Sequence, residues 1–161
     1  MVFDKQLIDQ ITEAWRTNNR VNLFLIERIS DEGLGCTLSK RGGRHVVRQF
    51  AHMHNNRVWH LQKRAADLAE GLYVFETTEE PDRETLRKDL EASAERLERY
   101  WQEAVTGEPK RRGFKKGVIT YLSYFIAHES HHRGSILLTI KTCGHKLDQK
   151  SSCAIWDWDR I

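Results

Sequence analysis

The run His128-Glu129-Ser130-His131-His132-Arg133-Gly134 constrains this chain more than any other stretch. It lies inside Tyr121–Lys141, where Leu122, Phe125, Ile126, Ile136, Leu137, Leu138 and Ile140 recur with helical spacing and no proline intervenes. Helical residues four apart share a face, with Cβ atoms about 5–6 Å apart. The imidazoles of His128 and His132 can therefore converge on one divalent ion at roughly 2.0–2.1 Å per bond. His131 points about 60° further round from that pair and is the weaker candidate. Three histidines on one turn also fit a solvated or core-satisfied cluster. An i, i+4 pair with Tyr121, Phe125 and Ile136 on the same face makes a metal site the preferred reading.

The rest of the chain reads as helices that could enclose such a site. The first is expected from about Asp4 to Ile29, with Leu7, Ile11, Ala14, Val21, Leu25 and Ile29 on one stripe. Asn18 and Asn22 fall inside that stripe. A buried unpaired amide costs about 1–3 kcal/mol, so they imply either an inter-helix hydrogen bond or an enclosed polar pocket. Ser30–Gly43, with four glycines, reads as a loop. A second helix is expected from about Arg44 to Glu70, its main stripe Phe50, Met53, Leu61 and Leu68, and it carries His45, His52, His54 and His60. After a connection over Gly71–Glu80, Pro81-Asp82 signals the start of a third helix, to about Val105. There Leu86, Leu90, Ala94, Leu97, Trp101 and Ala104 step by threes and fours. Thr106–Gly117 is a loop with Lys110, Arg111, Arg112, Lys115 and Lys116, read as a solvated segment rather than a phosphate grip. Past Gly144 a short tail is expected to pack Trp156 and Trp158 back onto the helices. No strand alternation and no repeat is present.

These elements predict an all-α chain, a four-helix bundle with a short C-terminal tail, forming one domain over residues 1–161. Composition agrees: 39% hydrophobic and 30% charged residues with two prolines describe a helical globular chain. The net charge of +3 gives little support for a nucleic-acid partner, and none is expected. No apolar run approaches the roughly 20 residues of a membrane span, and Met1-Val2-Phe3-Asp4 does not open a signal peptide. Cys36, Cys143 and Cys153, odd in number and without CxxC spacing, read as reduced thiols of a cytoplasmic protein. A homodimer is allowed by this reading.

A catalytic zinc site commonly takes three protein ligands and keeps one position open, so the pair on the fourth helix needs a partner from the second. Wheel arithmetic puts His54 about 40° from the centre of the Phe50 stripe, and His52 on a different face with His45 and Trp59. A helix that buries two faces makes either histidine acceptable.

Phe50-Ala51-His52-Met53-His54-Asn55-Asn56-Arg57-Val58-Trp59 followed by the His128–Gly134 run resembles the DinB/YfiT-like superfamily of metal-binding four-helix bundles. Asn18-Asn19-Arg20-Val21-Asn22-Leu23 and the terminal Trp156-Asp157-Trp158 extend the likeness over nearly the whole chain. The resemblance implies a first metal histidine seven residues before a tryptophan, here His52 before Trp59, with His128 and His132 as the other two. His54 stays as the alternate ligand. Two departures stand out: Ser135 follows Arg-Gly where the family often has Gln, and no proline follows Lys146-Leu147.

His128-Glu129-Ser130-His131-His132 also fits H-E-x-x-H, in which Glu is the general base of a zinc metalloprotease. That signature needs a further ligand and a sheet edge for the substrate. Only 29 residues follow His132 and nothing reads as a sheet, so the bundle is preferred. Glu129 is left the role of orienting a ligand or a water. The resemblance implies a divalent metal, zinc or nickel by preference, and relatives that act as S-transferases of low-molecular-weight thiols, thiol-dependent isomerases or hydrolases. A stress-related metal-binding or sensor protein without turnover is the alternative. Asn18, Asn22, Tyr121 and Ser135 around the metal would form the polar pocket an enzyme needs.

Overall fold

The computed structural model describes residues 5–161, so the expected helix start at Asp4 and the first four residues lie outside the described region. Four long helices and three short ones make up the described chain, and no strand occurs among the described residues. They are α1 (Lys5–Arg28), α2 (Asp31–Leu34), α3 (Val46–Arg64), α4 (Ala66–Ala69), α5 (Arg83–Thr106), α6 (Val118–Thr142) and α7 (Gln149–Ala154). The long helices pack side by side: α1 lies against α5 and α6, and α3 against the same two.

Local chemistry sets several boundaries. The Asp82 carboxylate accepts from Thr85 N and starts α5, as the Pro81-Asp82 signal predicts. Gly107, at φ 80°, ends that helix in the left-handed conformation only glycine adopts without strain. Three expectations are corrected. Ser30–Gly43 is not all loop, because Ser30 accepts from Gly33 N and opens the single turn of α2, too short to show a period. The second helix does not run to Glu70: it breaks at Ala65 (φ −155°, ψ 65°) and resumes as α4. Neither glycine nor proline marks that break. Trp156 and Trp158 do not pack inward either; Trp156 is 78% exposed, and Leu147 and Ile155 join the core in their place.

The interior is layered. Towards one end Leu25, Ile26, Phe50, Met53, Leu86, Leu90, Ile136 and Ile140 form an apolar cluster. Towards the other, Ile11, Trp15, Leu61, Leu97, Trp101, Tyr121 and Phe125 form a second. Each long helix carries buried polar residues between its two apolar contributions: Asn18, Asn19 and Asn22 on α1, His54 and Arg57 on α3, Ser93 on α5, Glu129 and Arg133 on α6. The same stripe that buries Phe125 and Ile136 buries Glu129 and Arg133, because all four follow the spacing of one helical face. The basic loop is partly neutralised: Arg111 forks onto Asp67 at 2.6 and 2.7 Å and reaches Glu103.

Candidate metal centre

The histidines of α3 and α6 meet on the flank of this layered core. His52, His128 and His132 each offer a ring nitrogen, and the three atoms lie within 4.8 Å of one another. Ring centroids stand 5.4 Å apart for His52–His128, 4.9 Å for His52–His132 and 4.7 Å for His128–His132. One turn of α6 supplies two rings, and α3 brings the third across the helix–helix contact. Asn56, one turn after His52, sits 3.4 Å from His128 Nδ1 and restrains that ring. Tyr124 stacks on its other side, centroids 5.9 Å apart and planes 21° from parallel.

Burial pushes all three imidazoles below their ordinary pKa. For His52 the Arg44 charge adds to the effect, and for His128 the neighbouring His52 does. His132 is lowered to about 4 by burial, then by His128 and His52. At neutral pH the rings are therefore uncharged, the form in which imidazole ligates a metal. Three neutral nitrogen donors, partly exposed and free of a bound carboxylate, could hold a divalent transition-metal ion.

His54 is kept out of this group. Its Nε2 donates to the Tyr73 carbonyl at 2.8 Å, Nδ1 lies 3.1 Å from Ser93 Oγ, and the residue is wholly buried on the opposite side of α3. Both faces of α3 are covered, which is why the wheel alone could not choose between the two histidines. His131 stays exposed next to His132 and outside the converging set.

Glu129 does not face the histidines. Arg57 grips it from Nε at 2.7 Å and Nη2 at 2.9 Å, and Asn18 and Asn22 donate to Oε2 at 2.6 and 2.7 Å. The amide oxygens of the same two asparagines accept from Arg133 Nη1 at 2.8 and 2.7 Å. Burial opposes the Glu129 charge, but the Arg57 guanidinium and the hydrogen bonds outweigh it and hold the carboxyl below its usual range. Fully buried, paired with Arg57 and turned away from the histidines, this carboxylate is not placed to serve as the general base of an H-E-x-x-H protease. Of the two readings left open for Asn18 and Asn22, the inter-helix hydrogen bond is the one observed, and neither residue lines the cavity described below.

Tyr121, expected beside the metal, is corrected. Its hydroxyl meets His60 Nδ1 at 2.7 Å inside the aromatic cluster, with Arg64 over its ring at 4.9 Å. His60 is lowered to about 4, first by burial and then by the Arg64, His128 and Lys63 charges around it, with Tyr121 and Tyr124 completing its surroundings. A histidine held neutral in the fold takes up a proton on unfolding, so the unfolded chain binds more protons between pH 6.5 and about 4. Stability of the metal-free protein should fall as pH drops through that window. Denaturant melts of the wild type and His60→Gln should show a shallower acid loss in the variant; equal slopes would refute the assignment.

Beside the histidines a cavity of about 420 Å³ opens between α3 and the 75–79 connection. Its walls include His52, His131, His132 and Ser135, with Arg44, Arg48, Trp59 and Phe75. Of the four expected pocket residues only Ser135 lines it. Asn55 holds the far wall in place by donating to the Phe75 carbonyl at 2.8 Å and accepting from Phe75 N at 2.9 Å. Arg48 and Trp59 were within reach of sequence reasoning, since they stand four before and seven after His52 on its helical face. The 75–79 wall carried no such signal, because it is remote in sequence from both helices.

Two comparisons return nothing: no curated protein and no solved structure gives a significant match. The model of the DinB family matches residues 2–150.

Proposed function

The chain belongs to the DinB family, and from that premise we propose that it is a divalent-metal-binding protein, a four-helix bundle with three short added helices. His52, His128 and His132 hold zinc or nickel, and the site serves a metal-dependent enzyme, by preference an S-transferase of a low-molecular-weight thiol in detoxification or stress response. The observation that carries this reading is the convergence of three neutral imidazoles from two helices at the edge of an open cavity.

The ion would supply a Lewis acid that keeps a sulfur ligand deprotonated at neutral pH, or brings a water towards a pKa near 7. The protein residues supply the rest. Asn56 and Tyr124 restrain the His128 ring, while the Arg57–Glu129 pair fixes α6 against α3. Ala51, Trp59 and Phe75 give the cavity apolar walls that favour the uncharged part of a small electrophile. Ser135 adds a hydroxyl at the same wall. A sensor without turnover would be expected to close the site, and the cavity favours the enzyme over that alternative.

Metal content after purification without chelator, wild type against His132→Ala, tests the metal reading. Conjugation of a small thiol to a model electrophile, run with holoprotein and with His132→Ala, tests the chemistry; equal rates would remove the transferase.

The ion is not needed to complete the apolar clusters. Chelated protein should keep its helical circular dichroism and melt cooperatively. Metal at a hundredfold excess over Kd should add about 2.7 kcal/mol, or roughly 5–10 °C for a chain of this size. A chelated chain with a random-coil spectrum would make the ion structural instead.

A further inference from the structure

The cavity has a cationic end that the metal reading leaves unexplained. Arg48 precedes His52 by one helical turn on the same face of α3. Its guanidinium gives Nη2 to Glu80 at 2.7 Å, while Nε is buried and has no hydrogen-bond partner.

Arg44 stands beside it. The chain enters α3 through Gly42, Gly43 and Arg44, all in the left-handed region at φ 72°, 86° and 51°. Glycine tolerates this, but arginine is strained by roughly 1–2 kcal/mol there. Gln49 Nε2 donates to the Arg44 carbonyl at 3.2 Å and helps hold the turn. The Arg44 guanidinium makes no ion pair among the described residues, and Arg44 lines the cavity together with Arg48 and His52.

The opposite rim sets the charge of the ligand. Glu76 and Glu79 line it, and Glu79 Oε2 is engaged by the Tyr73 hydroxyl at 3.1 Å and by Glu76 N at 3.0 Å. Two carboxylates across a cavity of this size repel a dianion such as a phosphate more than a single carboxylate. Between the two rims the walls are Ala51, Trp59 and Phe75.

Resting on the metal reading above, we propose that the small ligand of this site carries one carboxylate, bound by the guanidinium groups of Arg48 and Arg44. Its apolar body lies against Trp59 and Phe75, and its other end reaches the histidine cluster. Arg44 and Arg48 are then the residues that select acids over neutral analogues.

The test uses phenylpropionate and its neutral amide as probes, read by the indole nitrogen–proton NMR signal of Trp59, identified with Trp59→Phe. Both chelated and zinc-loaded full-length protein are titrated. The acid should bind about tenfold more tightly than the amide. Arg48→Met and Arg44→Gly should each reduce that preference severalfold, the glycine also fitting the left-handed turn. Arg48→Lys should recover only part of it, because lysine restores the charge but not the planar, forked donor of the guanidinium. Equal affinity for acid and amide, no effect in either arginine variant, or tighter binding of phenylphosphonate would overturn the proposal. If Arg48→Met does not fold, Arg44→Gly, outside the helix, decides. Acid selectivity in a protein that takes up no zinc would leave this subsite standing and remove the metal reading; zinc uptake without acid selectivity would do the reverse.

Discussion

Replacing His52, His128 or His132 by alanine should take metal uptake from one ion per chain to near none at micromolar metal, each acting alone. Loss of a group that merely orients a ligand costs about 10–100-fold in metal affinity, and loss of a ligand from a set of three should exceed that. His54→Ala should keep the metal and lose stability instead, since His54 spends both ring nitrogens on Ser93 and the Tyr73 carbonyl. His60→Ala and His145→Ala should also keep it: the His60 Nδ1 is engaged by Tyr121, and His145 lies beside Ser30. Plasma emission measurement of bound metal on the six variants separates these outcomes. A His52→Ala protein with full stoichiometry would break the three-histidine centre, and loss in His54→Ala would move the third ligand to the core face of α3. Cobalt-loaded protein adds a second readout. Its visible spectrum should change on addition of a small thiol, with His128 and His132 required and Cys36, Cys143 and Cys153, all free thiols, dispensable.

Glu129→Ala should be among the most destabilising single changes in the chain. Arg57 and Glu129 are both fully buried, and removing one member of such a pair leaves the other charge uncompensated, at about 3–5 kcal/mol. The midpoint of thermal unfolding should drop on the order of 10 °C. Arg57→Met should cost a similar amount and also vacate the cation over the Trp15 ring, 4.8 Å away. Because the two residues share one network, the double variant should cost less than the sum of the singles. Metal affinity of folded Glu129→Ala should weaken less than in any ligand variant, since His128 stands next to Glu129 on α6 but does not bond to it. Thermal melts and metal titration of the same sample decide the matter. A Glu129→Ala protein with an unchanged melt and no activity would restore the carboxylate to the chemistry and revive the metalloprotease reading.

What the residues determined by themselves is local. Apolar spacing with charges between located α1, α5 and α6 to within a few residues, and Asp82 marked the start of α5, because helical period and capping depend only on near neighbours. The i, i+4 pair of His128 and His132 was legible for the same reason. The identity of the third histidine was not, since α3 buries one face against Leu90 and Ser93 and turns the other towards α6, and spacing along one helix cannot say which neighbour covers which face. The chain placed Asn18 and Asn22 on an apolar stripe, which told that they are buried but not that they bond to Glu129 across 107 to 111 residues of sequence. That pairing came from the packing of α1 against α6, and it decided for an inter-helix hydrogen bond where the sequence had left a polar pocket equally open. The actual pocket needed the 75–79 connection folded over α3 by Asn55, a contact 20 residues long in sequence. Trp156 and Trp158 show the converse: their hydrophobicity argued for burial, but Leu147 and Ile155 fill the space beside the core and leave Trp156 outside. Periodicity reports that a face is covered; only the assembled helices decide what covers it.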